Sequence, residues 1–294
     1  MKILWTCDEP NWAYDINAKA LAIQMPQYEH FYAYNKQSWW EDSTLKNADV
    51  IVAMTPHHLR KSPRIKNTIS ILDSERVLKR CDYSYFSEAF AVICCNQNIY
   101  NRIKDKNKNT FLQPNGVNLN YYTPILEKPL KFTFGFAGNI IGKYTQYKGW
   151  DIYQSAISSL GNKVDQFNAV YNQNQIAPDR MVQDFYDKIH CLILLSDAEG
   201  CSNVITEALA CGIPVISTKV GYHGHALSHG VECFFANKNI EDVKKAMIKI
   251  SSVHKSQYDY MKGEARKFAC HHHDIIKVAN VYMKLFETIK QRNI

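Results

Sequence analysis

Short apolar runs alternate with amphipathic stretches along most of the chain. Lys2–Thr6, Tyr28–Tyr34, Asp49–Met54, Asn67–Leu72 and Ala89–Cys94 are short, apolar and often β-branched, which predicts buried strands. Between the first two, Tyr14–Met25 has helical spacing that puts Ile16, Ala20 and Ile23 on one face, and Pro26 stops it. Asn96–Lys104 is a second predicted helix. Gln113 to Gly116 (Gln-Pro-Asn-Gly) is a turn signal, and Pro124 to Pro129 is a linker. The alternation then resumes with a strand over Phe132–Ala137 that ends at Gly138. Helices follow over Lys148–Leu160, with Gly161 at its C-terminal cap, and over Asp179–Lys188 after Pro178. Cys191–Leu195 is a strand, Ser202–Cys211 a helix ended by Gly212, and Ile213–Ser217 a strand. Ile240–Ile250, Gln257–Phe268 and Asp274–Lys290 complete the predicted helices.

Strands that alternate with helices specify parallel sheets covered on both faces. The linker divides the alternation near residue 124. The expected architecture is α/β: two Rossmann-like domains with a cleft between them, over residues 1–124 and 125–273. Open α/β sheets bind ligands beyond the carboxyl ends of their strands, so the loops after strands are where chemistry is sought.

Composition removes several alternatives. Hydrophobic residues are 46% and charged residues 21%, which excludes a mainly disordered chain. Twelve glycines and no sustained heptad exclude collagen-like and coiled-coil folds. No uncharged apolar run reaches the ~18 residues that a membrane span needs. Asp8 and Glu9 break the N-terminal apolar run before a signal peptide forms. The nine cysteines are odd in number and without Cys-x-x-Cys spacing, so a reducing cytoplasm is expected. The net charge of +7 is concentrated in Arg60–Arg80 and Arg102–Lys108. It permits an anionic partner, whether nucleotide, lipid phosphate or nucleic acid, and peripheral membrane contact. No nucleic-acid-binding motif is present. His223, His225 and His229 share a loop, but no Cys or acid completes a zinc set there, so a structural or donor-lining loop is expected. Likewise His271, His272 and His273 are expected as solvated residues opening the last helix, and Trp39 and Trp40 as a local apolar cluster or an acceptor platform.

The chemistry concentrates between Ser196 and Ser217, which reads strand, acidic loop, Gly, helix, Gly, Pro, strand. Glu199 falls at a strand end, Gly200 permits close backbone approach, and Ser202 is a suitable N-cap. The helix it opens presents free N–H groups and a positive dipole end, which suits a diphosphate. Glu207 on that helix is placed to accept bonds from a ribose diol.

Glu199 and Glu207, seven residues between them, followed by Ala-Leu-Ala-Cys-Gly-Ile-Pro-Val-Ile, resemble the two-glutamate signature of the family-four retaining glycosyltransferases of GT-B fold. Further matches fall in order. Gln113-Pro-Asn-Gly-Val-Asn118 resembles the family's turn at the domain junction, and Gly135-Phe-Ala-Gly138 through Lys148-Gly149 resembles its glycine loop and Lys-Gly element. The resemblance implies a metal-independent hexosyltransferase without a cofactor, using a UDP- or GDP-hexose as co-substrate. Glu199 would contact the sugar, Glu207 the ribose, and the Gly200, Cys201, Ser202, Asn203 and Val204 amides the diphosphate. Lys148 would be the phosphate lysine. It also implies that the last helix, about 274–294, crosses back to the N-terminal domain.

The sequence departs from the family at Asn139, where an Arg is usual after Gly138; Lys143 is the candidate replacement. The first loop, Asp8–Tyr14, lacks glycine, and its Asn11 and Trp12 are acceptor-side candidates with His57, His58 and Arg60. Where the family has a His near the reacting carbon, Asp73 is the candidate catalytic residue beside Glu199 and Lys148. The expected acceptor is a glycan or glycolipid hydroxyl. A hydroxylated DNA base and a non-catalytic sugar-nucleotide-binding partner subunit remain as alternatives, and an epimerase or phosphorylase fits the glutamate spacing less well.

Overall fold

The computed structural model describes residues 1–35, 47–74, 83–124, 129–171 and 173–292. Trp39, Trp40, Glu75, Arg76, Lys79, Arg80 and most of the expected linker lie outside them. The chain forms two compact units. One comprises Met1–Asn118, Glu199–Cys201 and His273–Ile294, and the other Leu119–Ala198 and Ser202–His272.

Among the described residues, the first unit carries a six-stranded parallel sheet. In chain order its strands are β1 (Lys2–Cys7), β2 (Glu29–Tyr34), β3 (Val50–Ala53), β4 (Thr68–Leu72), β5 (Ala91–Cys94) and β6 (Thr110–Leu112). In space the order is β2-β1-β3-β4-β5-β6. β1, β3, β4 and β5 are buried almost throughout, which is why each appears in the sequence as an unbroken apolar run. β6 was not expected. It is an edge strand with Phe111 and Leu112 partly exposed, too short and too open to leave an apolar run.

Helix α1 (Ala13–Ile23) turns a different face inward from the one expected. Ala18, Leu21 and Ala22 are buried, and Ile23 is 74% exposed. Asp15 goes inside with them because three donors meet its carboxylate: Lys19 Nζ at 2.7 Å, the Asn11 amide at 2.7 Å and Tyr34 OH at 2.9 Å. Burial alone would raise its pKa, but these bonds hold it below the usual carboxylate range. α2 (Pro56–Arg60) and α3 (Gln97–Ile103) follow β3 and β5.

Helix α11 (Ile275–Arg292) belongs to this first core. Val278, Ala279, Tyr282, Phe286 and Ile289 are buried with Ile3, Trp5 and Val52. The Trp5 ring lies 5.9 Å from that of Tyr282 and 6.4 Å from that of Phe286. Ile289→Val is therefore expected to lower stability by about 1 kcal/mol, read as a lower urea midpoint at an unchanged slope. Unchanged stability would place this last turn outside the packed core. His271 and His272 end the preceding helix, α10 (Lys255–His272), which follows α9 (Ile240–Ser251), instead of opening α11. His273 is not solvated: it is fully buried, and its Nδ1 lies 2.8 Å from the Asn115 carbonyl.

The second unit, among the described residues, carries a five-stranded parallel sheet. Its strands are β7 (Thr133–Gly138), β8 (Asp165–Val170), β9 (Cys191–Leu194), β10 (Val215–Ser217) and β11 (Cys233–Phe235), in the order β11-β10-β9-β7-β8. β8 and β11 were missed; both are edges, and β8 begins with exposed polar residues. The helix expected to start at Lys148 starts later. α4 (Tyr144–Lys148) ends there, Gly149 reverses the chain at φ +68°, and α5 (Trp150–Ser158) follows. A Cβ at Gly149 would also stand 2.6 Å from that of Leu195. The single helix expected over Asp179–Lys188 is broken into a 3₁₀ turn, α6 (Met181–Asp184) and a second 3₁₀ turn, Tyr186–Lys188. The break at Phe185 lets two adjacent aromatics, Phe185 and Tyr186, both be fully buried, which one regular helix face does not allow.

Candidate donor and acceptor sites

In each sheet the strand order reverses at one place, and a parallel sheet opens its ligand crevice there. In the second unit this switch lies between β7 and β9. The loops after those strands carry the donor candidates of this unit. Gly138 ends β7, and Asn139 follows with its Oδ1 accepting from the Ile141 amide at 2.9 Å. Lys143 is exposed and stands 5.7 Å from the Tyr144 ring. Lys148 is partly buried, 5.7 Å from the Tyr147 ring. The Tyr147 hydroxyl donates to the Ala198 carbonyl, and the Asp197 amide donates to the Tyr147 carbonyl at 3.1 Å. The loop after β9 is thereby tied to the α4 loop, and Lys238 adds a bond to Asp197 at 2.6 Å and to the Gln146 carbonyl at 2.6 Å.

Helix α7 (Asn203–Ala210) carries Glu207. Ser202 occupies its N-cap position but makes no capping bond through its side chain. Its carbonyl accepts from the Thr206 amide and hydroxyl, both at 3.1 Å. The amides of the first turn therefore donate no bond to the Ser202 hydroxyl. Gly212 follows at φ +67°. At the C-terminal end Arg266 of α10 donates to the Ala210 carbonyl at 2.6 Å, and also to the Tyr122 carbonyl at 2.6 Å and the Leu119 carbonyl at 3.0 Å. One guanidinium thus satisfies an orphan helix carbonyl and fixes the strand of chain that carries Tyr122.

Tyr122 and Tyr186 explain how Glu207 is held. The Tyr186 hydroxyl donates to Glu207 Oε2 at 2.6 Å, and Tyr122 adds a second bond to the carboxyl. The residue keeps some accessible surface, but burial pushes its carboxyl up to about 7, with the two phenols opposing that shift. Neither tyrosine was singled out from the sequence, and nothing in the local pattern marks them.

In the first unit the switch lies between β1 and β3. Asn11 and Trp12 lie after β1, and both are exposed, Trp12 at 50%. Asn11 is the non-glycine residue at positive φ, +63°, among the described residues. His57 and Arg60 on α2 are exposed, and the Arg60 guanidinium lies 5.2 Å from the Tyr85 ring. His58 differs from them. It is 2% exposed, and its ring nitrogens meet the Thr6 carbonyl at 3.1 Å and the Asn35 side chain at 2.7 Å. Burial lowers its pKa, so it sits as a neutral core histidine.

Asp73 follows β4 and meets the Glu199–Cys201 segment inside this unit. Its Oδ1 accepts from the Cys201 amide at 3.1 Å and its Oδ2 from Asn115 Nδ2 at 3.2 Å. Burial pushes its carboxyl up to about 6, with bonds from the Cys95 thiol, Asn115 and Cys201 opposing and Glu199 adding to the rise. Tyr14 is raised for the same reason, by burial and then by Asp73, Asp8, Cys95 and Glu199.

Two of the three loop histidines have separate partners, at Thr206 and Phe235. His223 of α8 (Gly221–Ala226) is buried with Nε2 3.2 Å from the Thr206 hydroxyl, and His229 Nδ1 accepts from the Phe235 amide at 3.0 Å. The described cysteines are all free, and most are buried; burial raises Cys94, for example, to about 12. No helix among the described residues is long and apolar enough to cross a membrane.

Residues 158–268, which include β8, β9 and α7, match the family of glycosyl transferases group 1. The whole chain is similar to solved GT-B structures. Anabaena HepE, in complex with UDP and glucose, aligns over 98% of this chain and 99% of its own at TM-score 0.74 and 14% identity. The fold is GT-B. Sucrose-phosphate synthase of Thermosynechococcus elongatus aligns equally widely, over 98% and 99%, at TM-score 0.73 and 14% identity. An uncharacterized glycosyltransferase of Methanocaldococcus jannaschii is 28% identical over 178 residues, 54% of this chain and 49% of the relative. That match spans about half the length of the relative. In this GT-B fold the group 1 segment lies wholly in the unit that holds Glu207 apart from the three residues 199–201.

Proposed function

We propose that the protein is a retaining glycosyltransferase that moves a hexose from a UDP- or GDP-hexose to a hydroxyl of a glycan or glycolipid. The observation that carries this reading is Glu207: a carboxyl inside the group 1 segment, on the helix that follows β9, held by two phenols. HepE, a similar structure, is described with UDP and glucose, which supports a nucleotide sugar as donor. Free, buried cysteines support a reducing compartment such as the cytoplasm.

In this reading Glu207 accepts from the ribose diol. The diphosphate meets the amide end of α7 and Lys148, and both stabilise the charge that grows as it leaves. Glu199 orients the sugar for attack by the acceptor hydroxyl on the face from which the diphosphate departs. The departing phosphate takes the hydroxyl proton, so no protein nucleophile and no metal ion is required. Asn139 contributes a neutral side chain where a cation is usual, and the exposed Lys143 is the group able to replace it.

The test is calorimetry against a panel of UDP- and GDP-hexoses, followed by assay of donor hydrolysis and transfer. One donor is expected to bind with turnover. Binding without hydrolysis or transfer would favour a non-catalytic partner subunit, and no binding to any donor would overturn the reading. A second acceptor reading, a hydroxylated DNA base, is favoured by the exposed basic run Arg102, Lys104, Lys106 and Lys108. It requires saturable DNA binding that falls steeply with salt.

A further inference from the structure

The Glu199–Cys201 segment is held within the first unit by side chains that no part of the proposed reaction uses. Gly200 is pressed against the backbone of Asp73: a Cβ there would stand 1.9 Å from the Asp73 carbonyl oxygen. The next polar groups along the segment are taken up in turn. Asn96 Nδ2 donates to the Gly200 carbonyl at 3.2 Å, and this bond is buried. The Cys201 amide donates to Asp73 Oδ1 at 3.1 Å, and Asn115 Nδ2 donates to the Cys201 carbonyl at 3.1 Å.

The holders are themselves fixed. Asn96 is the N-cap of α3, its Oδ1 accepting from the Ile99 amide at 2.9 Å, so one amide side chain ends in a helix and in the segment at once. Asn115 bonds Asp73 at 3.2 Å, and its own carbonyl accepts from the buried His273 ring at 2.8 Å. Asp73 has each carboxyl oxygen engaged by this network. That is the arrangement of a clamp.

We propose that Asp73, Asn96 and Asn115, backed by His273, are positioning residues that set the place of Glu199, and so the sugar specificity and turnover of the enzyme. The proposal rests on the donor reading above. It separates two contributions: Glu207 and its tyrosines govern affinity for the nucleotide, and the clamp governs what the sugar adds.

Asn96→Asp is the sharpest test. It keeps the helix cap and turns the bond to Gly200 into an oxygen facing an oxygen. Asn115→Ala is the second variant; it leaves the backbone bond to His273 in place. UDP, GDP, UDP-glucose and GDP-mannose are measured by calorimetry, and turnover with the sugar nucleotides. The expected result is nucleoside diphosphate affinity within about threefold of wild type, with turnover down about tenfold or more and the affinity advantage of the sugar nucleotide reduced. Equal weakening of diphosphate and sugar nucleotide would mean a merely structural role, and unchanged turnover in both folded variants would mean an idle clamp; either overturns the proposal. If wild-type protein binds none of the four, the donor reading itself fails, and that is seen before any variant is made.

Discussion

Gly200→Ala is expected to abolish most turnover while leaving the protein folded. The added methyl would meet the Asp73 carbonyl oxygen at 1.9 Å, its carbon at 2.4 Å and its Oδ1 at 2.6 Å. Two of these atoms are backbone at the end of β4, a fully buried strand, and cannot swing aside. The segment must therefore move. Moving it breaks the bonds from Asn96 and to Asp73, and Glu199, the preceding residue, moves with it. Misplacement of a substrate-orienting group by ~1 Å costs about a hundredfold in rate. The stability cost is expected at about 1–3 kcal/mol, as for other overpacked sites. Turnover and thermal unfolding of the variant together check this. A folded variant with near wild-type turnover would show that the place of Glu199 does not matter to the reaction.

The middle of each sheet was legible in the sequence because strands buried on both faces must be continuous apolar runs. β1, β3, β4, β5, β7, β9 and β10 all show this, with ends off by a residue or two. The edges were not. β6, β8 and β11 meet water or end after three residues, and their pattern merges with loop. Helix faces failed where a polar residue found partners: Asp15 turned α1 inward because Lys19, Tyr34 and the Asn11 amide satisfy it, and no period in the sequence carries that information.

Much the same division runs through the candidate sites. Glu199 and Glu207 stood out because their spacing is local. The residues that hold them did not, since Asn96 and Asn115 lie 104 and 86 positions from their segment partners and Tyr186 lies 21 before Glu207. Pairings over such distances are set by the fold, and a single sequence does not print them. His58 and His273 show the converse: both look like surface histidines in sequence, and both are buried against backbone carbonyls.

Glu207→Gln is expected to weaken nucleotide binding and, in the free protein, to raise stability at alkaline pH. The carboxyl is raised from its ordinary 4.5 to about 7, first by burial. Its charged form is thus disfavoured by folding, and between these two values the native state binds more protons than the unfolded one. Stability therefore falls as pH climbs through that window and levels off above it. At about 1.4 kcal/mol per tenfold, the gap amounts to ~3 kcal/mol at pH 8, as an upper figure. Glutamine carries no charge and still accepts from Tyr186. The variant should match wild type near pH 5 and unfold several degrees higher at pH 8. A ribose diol would donate to the ionised carboxylate and offset that cost. Nucleotide affinity should then drop by about ten- to a hundredfold in the variant, and wild-type binding should release a proton near neutral pH. Calorimetry in buffers of different ionisation enthalpy measures that proton directly. Its absence, or equal stability of the two proteins at pH 8, would mean that Glu207 is ionised in the free protein without penalty. Its presence would mean that the nucleotide supplies what the fold withholds: partners for a buried charge that is left strained until the donor arrives.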